Sequence, residues 1–347
     1  MNGDRRATVA GFAGAVLVLV VLFWFVGVDQ ILAALASADP VIVAALVPVA
    51  LLWLSSWGLA LYTVLQAIDE PVSAPKAVML YTAAVFANNV TPFGQAGGEP
   101  LTALLISKAT DSEYENGLAA IASVDALHFV PSVGLATIGL AFFAVETVTL
   151  GRNLRIASVA VGALALAIPV AAYVGWRYRY ELEAAVVRLL TPVIRALGRL
   201  VPRRSPPDPG VIEHRIEGFF TAIDRVANSP RRLVLALAFS LGGWLALTSS
   251  LWLSVTALGY DVPFAAVLVV IPVGALASAT PFPGGLGGIE TALTVLLVST
   301  TGIPAAAAGA AIVIHRAATY WFPTLVGGGS AAALGARRGE EPVVEDE

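Results

Sequence analysis

The sequence predicts an all-α protein, a polytopic helical membrane bundle interrupted by two short segments rich in proline and glycine. The mean hydropathy is +0.82 and 58% of the residues are hydrophobic, whereas only 13% are charged, about half the share of a soluble domain. Apolar runs of about 20 residues, enough to cross a bilayer as a helix, recur along the chain. Two segments inside this apolar sequence nearly repeat each other, residues 91–99 (TPFGQAGGE) and residues 280–290 (TPFPGGLGGIE).

The chain is expected to form a single integral membrane domain over residues 1–347. We divide it into a first half (1–175), a central loop (176–232), a second half (233–330) and an acidic tail (331–347). The predicted spans lie at 8–28, 40–65, 117–145, 156–175, 233–258 and 304–330. The first span lacks a clear small-residue cleavage site, so we expect it to be retained rather than removed as a signal peptide.

Each Pro/Gly motif is predicted to lie at the tip of a broken-helix hairpin. The first hairpin (75–110) has arms at 75–90 and 100–110, and the second hairpin (264–301) has arms at 264–280 and 290–301. Arms of this length extend about 15 to 25 Å, less than the ~30 Å of a hydrocarbon core, which favours re-entrant hairpins. Two kinked full spans at each site are the alternative.

Positive charge predicts the orientation of the chain in a cell membrane. Of the 20 Lys and Arg residues, 11 lie between 177 and 232, so the central loop and both termini should be cytoplasmic. The hairpins would then enter from opposite faces, as in an inverted repeat, although two short motifs also fit unrelated segments. Residues 177–204 have the pattern of a basic amphipathic helix on an anionic leaflet, and 211–228 should form another helix.

Several classes of function lack support in the sequence. There is no cysteine and there are three scattered histidines, so neither a disulfide nor a metal site is expected. Neither glycine motif is followed by the Lys-Ser/Thr pair of a phosphate-binding loop. We therefore expect no cofactor, no nucleic-acid partner and no ATPase activity, and movement of a substrate would be passive or ion-coupled.

Ionisable residues within apolar segments are candidates for function because a charge at membrane depth is costly. Glu99 precedes Pro100, which places it at the predicted start of the second arm of the first hairpin, and Glu290 opens the equivalent arm. Both could be simple helix caps. The neighbouring glycines should allow positive φ and leave amides uncovered for an anion, or else serve tight helix packing. These glycines are Gly97, Gly98, Gly284, Gly285, Gly287 and Gly288.

Arg316 should lie near the middle of the last span and needs a counter-charge, for which Glu290 or Glu99 is the nearest candidate. A purely structural ion pair is the alternative. His315, its neighbour, should face another helix. Asp125 and His128 share a face of the third span, where they would form either a hydrogen-bonded pair or a proton relay.

The block Ala279–Glu290, with His315-Arg316 and Thr319–Pro323 after it, resembles the flippase-like membrane domain family, which includes the membrane region of lysylphosphatidylglycerol synthases. Asn89–Pro92 with Gly97–Glu99 resembles the first motif of that family. The resemblance implies a lipid-translocating or lipid-binding bundle with two re-entrant elements and no soluble transferase domain. The matching positions are Pro92, Gly97, Gly98, Glu99, Pro283, Gly284, Gly285, Gly287, Glu290, Arg316 and Tyr320. Members often have Arg after the acidic residue of the third span, whereas here Ala126 follows Asp125.

These observations favour a lipid transporter that moves a phospholipid or a polyprenyl-linked lipid between leaflets, with the headgroup bound between the hairpin tips. An integral membrane transferase acting on lipid and a non-transporting lipid-binding scaffold are the alternatives. The charges of Glu99, Asp125, Glu290 and Arg316 sum to −2 when all are ionised, so either a carboxyl group is protonated or the substrate is cationic. The lipid, the direction and the oligomeric state stay open.

Overall fold

The computed structural model describes residues 27–70, 72–91, 94–146, 209–280 and 282–336, together with scattered positions between 159 and 192. The described residues form helices joined by short turns, and no strand occurs among them. Nearly all of the predicted span 8–28, most of 156–175 and of the basic segment 177–204, and most of the acidic tail lie outside the described residues.

The helices are numbered in chain order. They are α1 (Val28–Ala36), α2 (Pro40–Ala67), α3 (Ala74–Val90), α4 (Gln95–Thr110), α5 (Tyr114–Glu146), α6 (Pro209–Ala227), α7 (Pro230–Ala257), α8 (Phe264–Ala275), α9 (Gly288–Thr301), α10 (Ala305–Arg316) and α11 (Phe322–Ala336). Two 3₁₀ turns, Leu276–Ala279 and Pro283–Gly285, lie between α8 and α9, and a π-helical turn, Ala317–Trp321, joins α10 to α11.

The long apolar helices agree with the predicted spans. Within the described residues, α2, α5 and α7 each contain an apolar stretch long enough to cross a membrane. Helices α10 and α11 continue each other through the π turn from 305 to 336, which corresponds to about 48 Å of helix. The predicted bounds 40–65, 117–145, 233–258 and 304–330 differ from these helices by a few residues.

The helix predicted at 211–228 is present as α6, which packs against α5. Its Arg225 donates from Nη1 to the carbonyl oxygen of Ile68 at 3.3 Å. Arg232, in the first turn of α7, donates to the carbonyl oxygen of Gln66. Both guanidinium groups therefore satisfy carbonyls at the C-terminal end of α2, where the helix dipole favours positive charge.

The two halves have the same order of elements at a nearly constant spacing. Helices α2 and α7 both span 28 residues. Their first residues, Pro40 and Pro230, are 190 positions apart, and so are the first residues of α3 and α8. The starts of α5 and α10 are 191 positions apart. Each half thus consists of a long helix, a broken hairpin and a further long helix.

The equivalent helices α2 and α7 run antiparallel against each other. At one end, the amide of Asp39, which precedes α2, donates to the carbonyl oxygen of Ala257 at 2.8 Å. At the other end, Arg232 near the start of α7 reaches Gln66 near the end of α2. Opposite directions of equivalent helices are the geometry of an inverted repeat.

The first arm of each hairpin packs against the final helix of the other half. Helix α3 packs against α11, and α8 packs against α5. A Cβ atom on Gly327 would lie 2.3 Å from the carbonyl oxygen of Thr82, and one on Gly139 would lie 2.6 Å from that of Ala265. The halves therefore interlock at two close, similar contacts, which fix both hairpins in the bundle.

The second arm of the first hairpin begins earlier in the chain than predicted. Helix α4 begins at Gln95, so Glu99 and Pro100 lie in its second turn, and the prediction that Pro100 occupies the first helical position was wrong. The chain turns into this helix at Gly94, which has φ 54°. Gly98 is helical, and a Cβ there would lie 2.7 Å from the Cα atom of Asn88. It permits close packing of the two arms rather than a turn.

The second hairpin has the non-helical tip that its glycines predict. Gly284, Gly285 and Gly287 have φ of 56°, 67° and 83°, conformations that side chains with a Cβ rarely adopt. The positive-φ prediction is therefore confirmed in the second motif, whereas Gly97, Gly98 and Gly288 are helical. That the hairpins are re-entrant and enter from opposite faces stays a prediction.

Candidate functional site

A cavity of about 590 Å³ lies between the two halves and contains most of the ionisable groups found in apolar sequence. Helices α2 to α5, α7, α8, α10 and the tip of the second hairpin all contribute to its wall. The polar and aromatic residues of the wall are Trp53, Trp57, Tyr81, Asn88, Asn89, Glu99, Asp125, His128, Phe129, Ser132, Trp244, Ser278, His315, Arg316 and Thr319. Its size lies within the range of small-molecule sites.

Arg316 fastens the second hairpin to the last helix. Its Nε donates to Oε1 of Glu290 at 2.6 Å and its Nη2 donates to the carbonyl oxygen of Gly284 at 3.2 Å. The guanidinium carbon also lies 4.6 Å from the centre of the Tyr320 ring. The predicted counter-charge is therefore Glu290, and only 12% of the Arg316 side chain is exposed. This environment is that of a buried, fully engaged ion pair.

Asn89 connects the first hairpin to the same helix. The Tyr320 hydroxyl donates to the carbonyl oxygen of Asn89 at 3.0 Å, and Nδ2 of Asn89 donates to Oγ1 of Thr324 at 2.8 Å. Gly284 fits between them, since a Cβ there would lie 2.4 Å from the Tyr320 ring. The tips of both hairpins thus meet at Tyr320.

The backbone amides of the second tip are already engaged. Gly285 and Leu286 donate to the carbonyl oxygens of Phe282 and Pro283, and Gly287 donates to Oε2 of Glu290 at 2.5 Å. For Gly285 and Gly287, the expectation that the amides are uncovered for an anion was wrong. Glu290 engages one of these amides because its carboxylate accepts from Gly287 and so caps α9. The same carboxylate binds Arg316, so the helix cap and the counter-charge that the sequence predicts for Glu290 are both present.

A second pair of charged groups lies at the first hairpin. The carboxyl groups of Glu99 in α4 and Asp125 in α5 are in hydrogen-bonding contact. Two carboxyl groups form a hydrogen bond only when one of them carries a proton. Oδ2 of Asp125 is buried, and no nitrogen or hydroxyl donor among the described residues hydrogen-bonds to it. Asp125 therefore pairs with Glu99 instead of forming the predicted hydrogen-bonded pair with His128.

His128 belongs to an aromatic wall of the cavity. Its ring stacks on Trp57 with centroids 4.0 Å apart, and its carbonyl oxygen accepts a hydrogen bond from Trp244 Nε1 at 2.8 Å. The Trp57 indole donates to the carbonyl oxygen of Ser240 at 3.0 Å, which fixes the stack. Nε2 of His128 is buried without a partner in the part of the chain that the structure describes. The wall thus combines aromatic faces with two ring nitrogens that have no partner among the described residues, Nε2 of His128 and Nε1 of Trp53.

The rim of the cavity follows the seam between α5 and α8. These helices touch tightly at Gly139 and Ala265. Further along the seam, both line the cavity with apolar residues, and Phe129 and Leu276 are 49% and 43% exposed there. Exposed apolar side chains are more favourable in contact with lipid than with water. The cavity therefore combines a polar interior with an apolar rim at this seam.

The structure separates the predicted site residues into groups. Glu99, Asp125, His128, Gly284, Gly285 and Arg316 line the cavity. Pro283, Gly287, Glu290 and Tyr320 are buried around the second tip. Gly97 and Gly98 lie within α4, and Pro92 lies outside the described residues. His315 is buried, and its Nδ1 lies 3.0 Å from Oγ of Ser250 on α7, so it contacts a neighbouring helix as predicted, but it also lines the cavity.

Sequence reasoning placed Asn89 in the first family motif without predicting its contacts, and it missed the stack of Trp57 on His128. Asn89 lies next to the first motif, and a polar amide inside an apolar helix was a usable signal for a buried hydrogen-bonded contact. The Trp57 stack had no comparable signal, since tryptophan is common at membrane depth for other reasons.

The chain is similar to known membrane proteins over most of its length. The family model described as "Lysylphosphatidylglycerol synthase TM region" matches residues 9–327. A UPF0104 membrane protein of Methanothermobacter thermautotrophicus is 28% identical over 312 residues, which cover 87% of this chain and 86% of the relative. A UPF0104 membrane protein of Pyrococcus horikoshii is 25% identical over 292 residues, 82% of this chain and 85% of the relative.

Proposed function

Since the chain belongs to the lysylphosphatidylglycerol synthase transmembrane-region family, we propose that this membrane protein moves a phospholipid or a polyprenyl-linked lipid between leaflets. The observation that carries the proposal is the cavity between two inverted halves, which combines buried charge with an apolar rim. A lipid has the same combination of a polar headgroup and apolar chains.

The cavity has room for a headgroup, not for a whole lipid. Its volume of about 590 Å³ is typical of a site for one small molecule. The acyl or prenyl chains would therefore extend through the α5–α8 seam past Phe129 and Leu276 into the bilayer. This arrangement avoids burying the chains in protein and leaves only the headgroup to cross the hydrocarbon core.

The inverted arrangement supports movement rather than binding alone. Hairpins that interlock with the opposite half can exchange their roles when one half rocks against the other, which is the usual basis of alternating access. We further propose that the protein is multi-pass with both termini in the cytoplasm, and that the basic segment 177–204 rests on the anionic leaflet. No ATP-binding motif was recognised in the sequence, so the movement would follow a gradient or an ion.

The proposal is tested with purified protein in liposomes that carry a fluorescent lipid in both leaflets. A quencher added outside removes half of the signal when the lipid cannot cross, and more when it can. The lipid panel is phosphatidylglycerol, phosphatidylethanolamine and a polyprenyl phosphate, with empty liposomes as the control. We expect faster loss of the protected signal for at least one headgroup. Rates equal to those of empty liposomes for all three would contradict transport of these lipids, and lipid binding without transport would favour a scaffold.

A further inference from the structure

The acid pair of the first half occupies the place that an ion pair occupies in the second half. Glu99 and Glu290 are 191 positions apart, and so are Asp125 and Arg316. Each glutamate lies near the start of the second arm of its hairpin and contacts the long helix that follows. The same framework therefore holds a carboxylate against a base in one half and against a second carboxyl group in the other.

No base of the described residues compensates this acid pair. Arg316 and His315 of α10 are engaged by Glu290 and Ser250, and Tyr81 of α3 is close to Asp125 but is neutral in its ordinary form. Helices α2, α7 and α8 contribute no ionisable side chain to the described lining of the cavity.

The amphipathic helix α6, which packs on the far end of α5, offers no compensation either. Its Arg215 is paired with Glu115 at 3.1 Å, about three turns before Asp125. Within the described residues, the remaining source of a charge that balances Glu99 and Asp125 is therefore the cavity.

The acid pair and His128 share the wall of the cavity. Nε2 of His128 is buried and has no hydrogen-bond partner within the described ranges, and Oδ2 of Asp125 is buried there with no nitrogen or hydroxyl donor against it. Both residues line the cavity, and His128 is only 7% exposed. Because its ring is fixed against Trp57, the free nitrogen keeps its position beside the cavity. Buried polar atoms of this kind are costly unless a ligand or proton engages them.

We infer that Glu99 and Asp125 share one exchangeable proton, which takes the place of the missing base and is lost to the cavity or to Nε2 of His128 when substrate passes. Loss of the proton changes the charge of the pair from −1 to −2, and its return restores the hydrogen bond between the two carboxyl groups. The inference that this pair holds a proton rests on the contact between Glu99 and Asp125 and on the buried atoms of Asp125 and His128. Its link to substrate movement rests on the proposed function.

The proton is detected without any transport measurement, by infrared difference spectroscopy of the purified protein during a pH titration. A protonated carboxylic acid has a C=O stretching band that a carboxylate lacks, and this band shifts in D₂O. We expect the parent protein to show such a band and to lose it reversibly as the pH rises. Absence of the band in the parent at every pH would overturn the inference, whatever the behaviour of any variant.

Three variants assign the band. Glu99→Gln and Asp125→Asn preserve size and the capacity to donate one hydrogen bond, and each should remove the titrating band. Glu290→Gln is the matched control, because it removes the equivalent carboxyl group of the ion pair, and the band should persist. A band retained in both amide variants, or lost only in Glu290→Gln, would place the proton elsewhere and overturn the inference.

The link to transport is read from the pH dependence of lipid movement in liposomes of phosphatidylcholine and phosphatidylglycerol. One exchanging proton changes a rate by at most about tenfold per pH unit. We expect the rate of lipid movement to depend on pH in the parent and in Glu115→Gln, whose carboxyl group pairs with Arg215 away from the cavity lining, and not to depend on pH in Glu99→Gln. Identical slopes in all three would overturn the link while leaving lipid transport intact. An infrared band without any lipid movement would contradict the proposed function and leave the proton site standing.

Discussion

Replacing Arg316 by methionine should be among the most destabilising single changes in the bundle. The substitution keeps much of the volume but removes the 2.6 Å contact with Glu290, the hydrogen bond to Gly284 and the contact with the Tyr320 ring. It leaves a carboxylate whose side chain is only 7% exposed without its counter-charge. Breaking a buried pair in this way costs about 3–5 kcal/mol. The bond from Gly287 to Glu290 and the dipole of α9 offset about 1 kcal/mol of this loss.

The net expectation is a decrease of about 2–4 kcal/mol in the free energy of unfolding, measured by titration with dodecyl sulfate in mixed micelles. The double variant Glu290→Gln/Arg316→Met should recover at least half of this loss, because no uncompensated charge remains buried. Arg215→Met is the matched control, since that arginine also pairs with a glutamate but its side chain is 60% exposed, and it should cost at most about 1 kcal/mol. Equal costs for the two single variants, or strictly additive costs in the double variant, would refute this account of Arg316.

Two further predictions concern glycines that the structure assigns to different tasks. Gly98→Ala should cost about 1–3 kcal/mol by overpacking, because its Cβ would lie 2.7 Å from the Cα of Asn88, whereas Gly134→Ala in open space within α5 should stabilise by up to about 1 kcal/mol. Gly284 has φ 56°, and a Cβ there would lie 2.4 Å from the Tyr320 ring, whereas Gly259 has φ 80° and no neighbour within 4 Å of a Cβ. Gly284→Ala should therefore lower the free energy of unfolding by at least about 1 kcal/mol more than Gly259→Ala does. The same unfolding titration measures all four, and a reversed order in either pair would contradict the assignment.

The positions of the long helices and the Glu290–Arg316 pair could be predicted because each follows from a strong physical constraint. An apolar run that must satisfy its own backbone in lipid can only be a helix. A charge at membrane depth needs a partner, and Arg316 had two candidate partners in the sequence. The choice between Glu290 and Glu99 required the structure, because it depends on which hairpin packs against α10.

The glycines of the first motif show why the rest could not be predicted. A glycine that permits a turn and a glycine that permits close packing are identical in sequence, so both roles were open for Gly98, which lies inside α4. The contact between Glu99 and Asp125 was missed for a different reason. Two acidic residues repel when both are ionised, so pattern reasoning gives no cause to place them together. The 190-residue spacing of Pro40 and Pro230 was visible in the sequence and was not used.

The proposal that the lipid occupies the cavity with its chains extending through the α5–α8 seam is tested most directly by blocking the seam. The chain has no cysteine, so a single cysteine can be labelled with a bulky maleimide in detergent before reconstitution into the fluorescent-lipid liposomes. Phe129→Cys lies at the rim of the cavity, and Ile138→Cys is the matched control on the same helix, exposed but away from the lining. The account predicts that the label on Phe129→Cys reduces lipid movement to the rate of empty liposomes and that the label on Ile138→Cys has no effect. Unchanged movement through the labelled Phe129→Cys protein would contradict it.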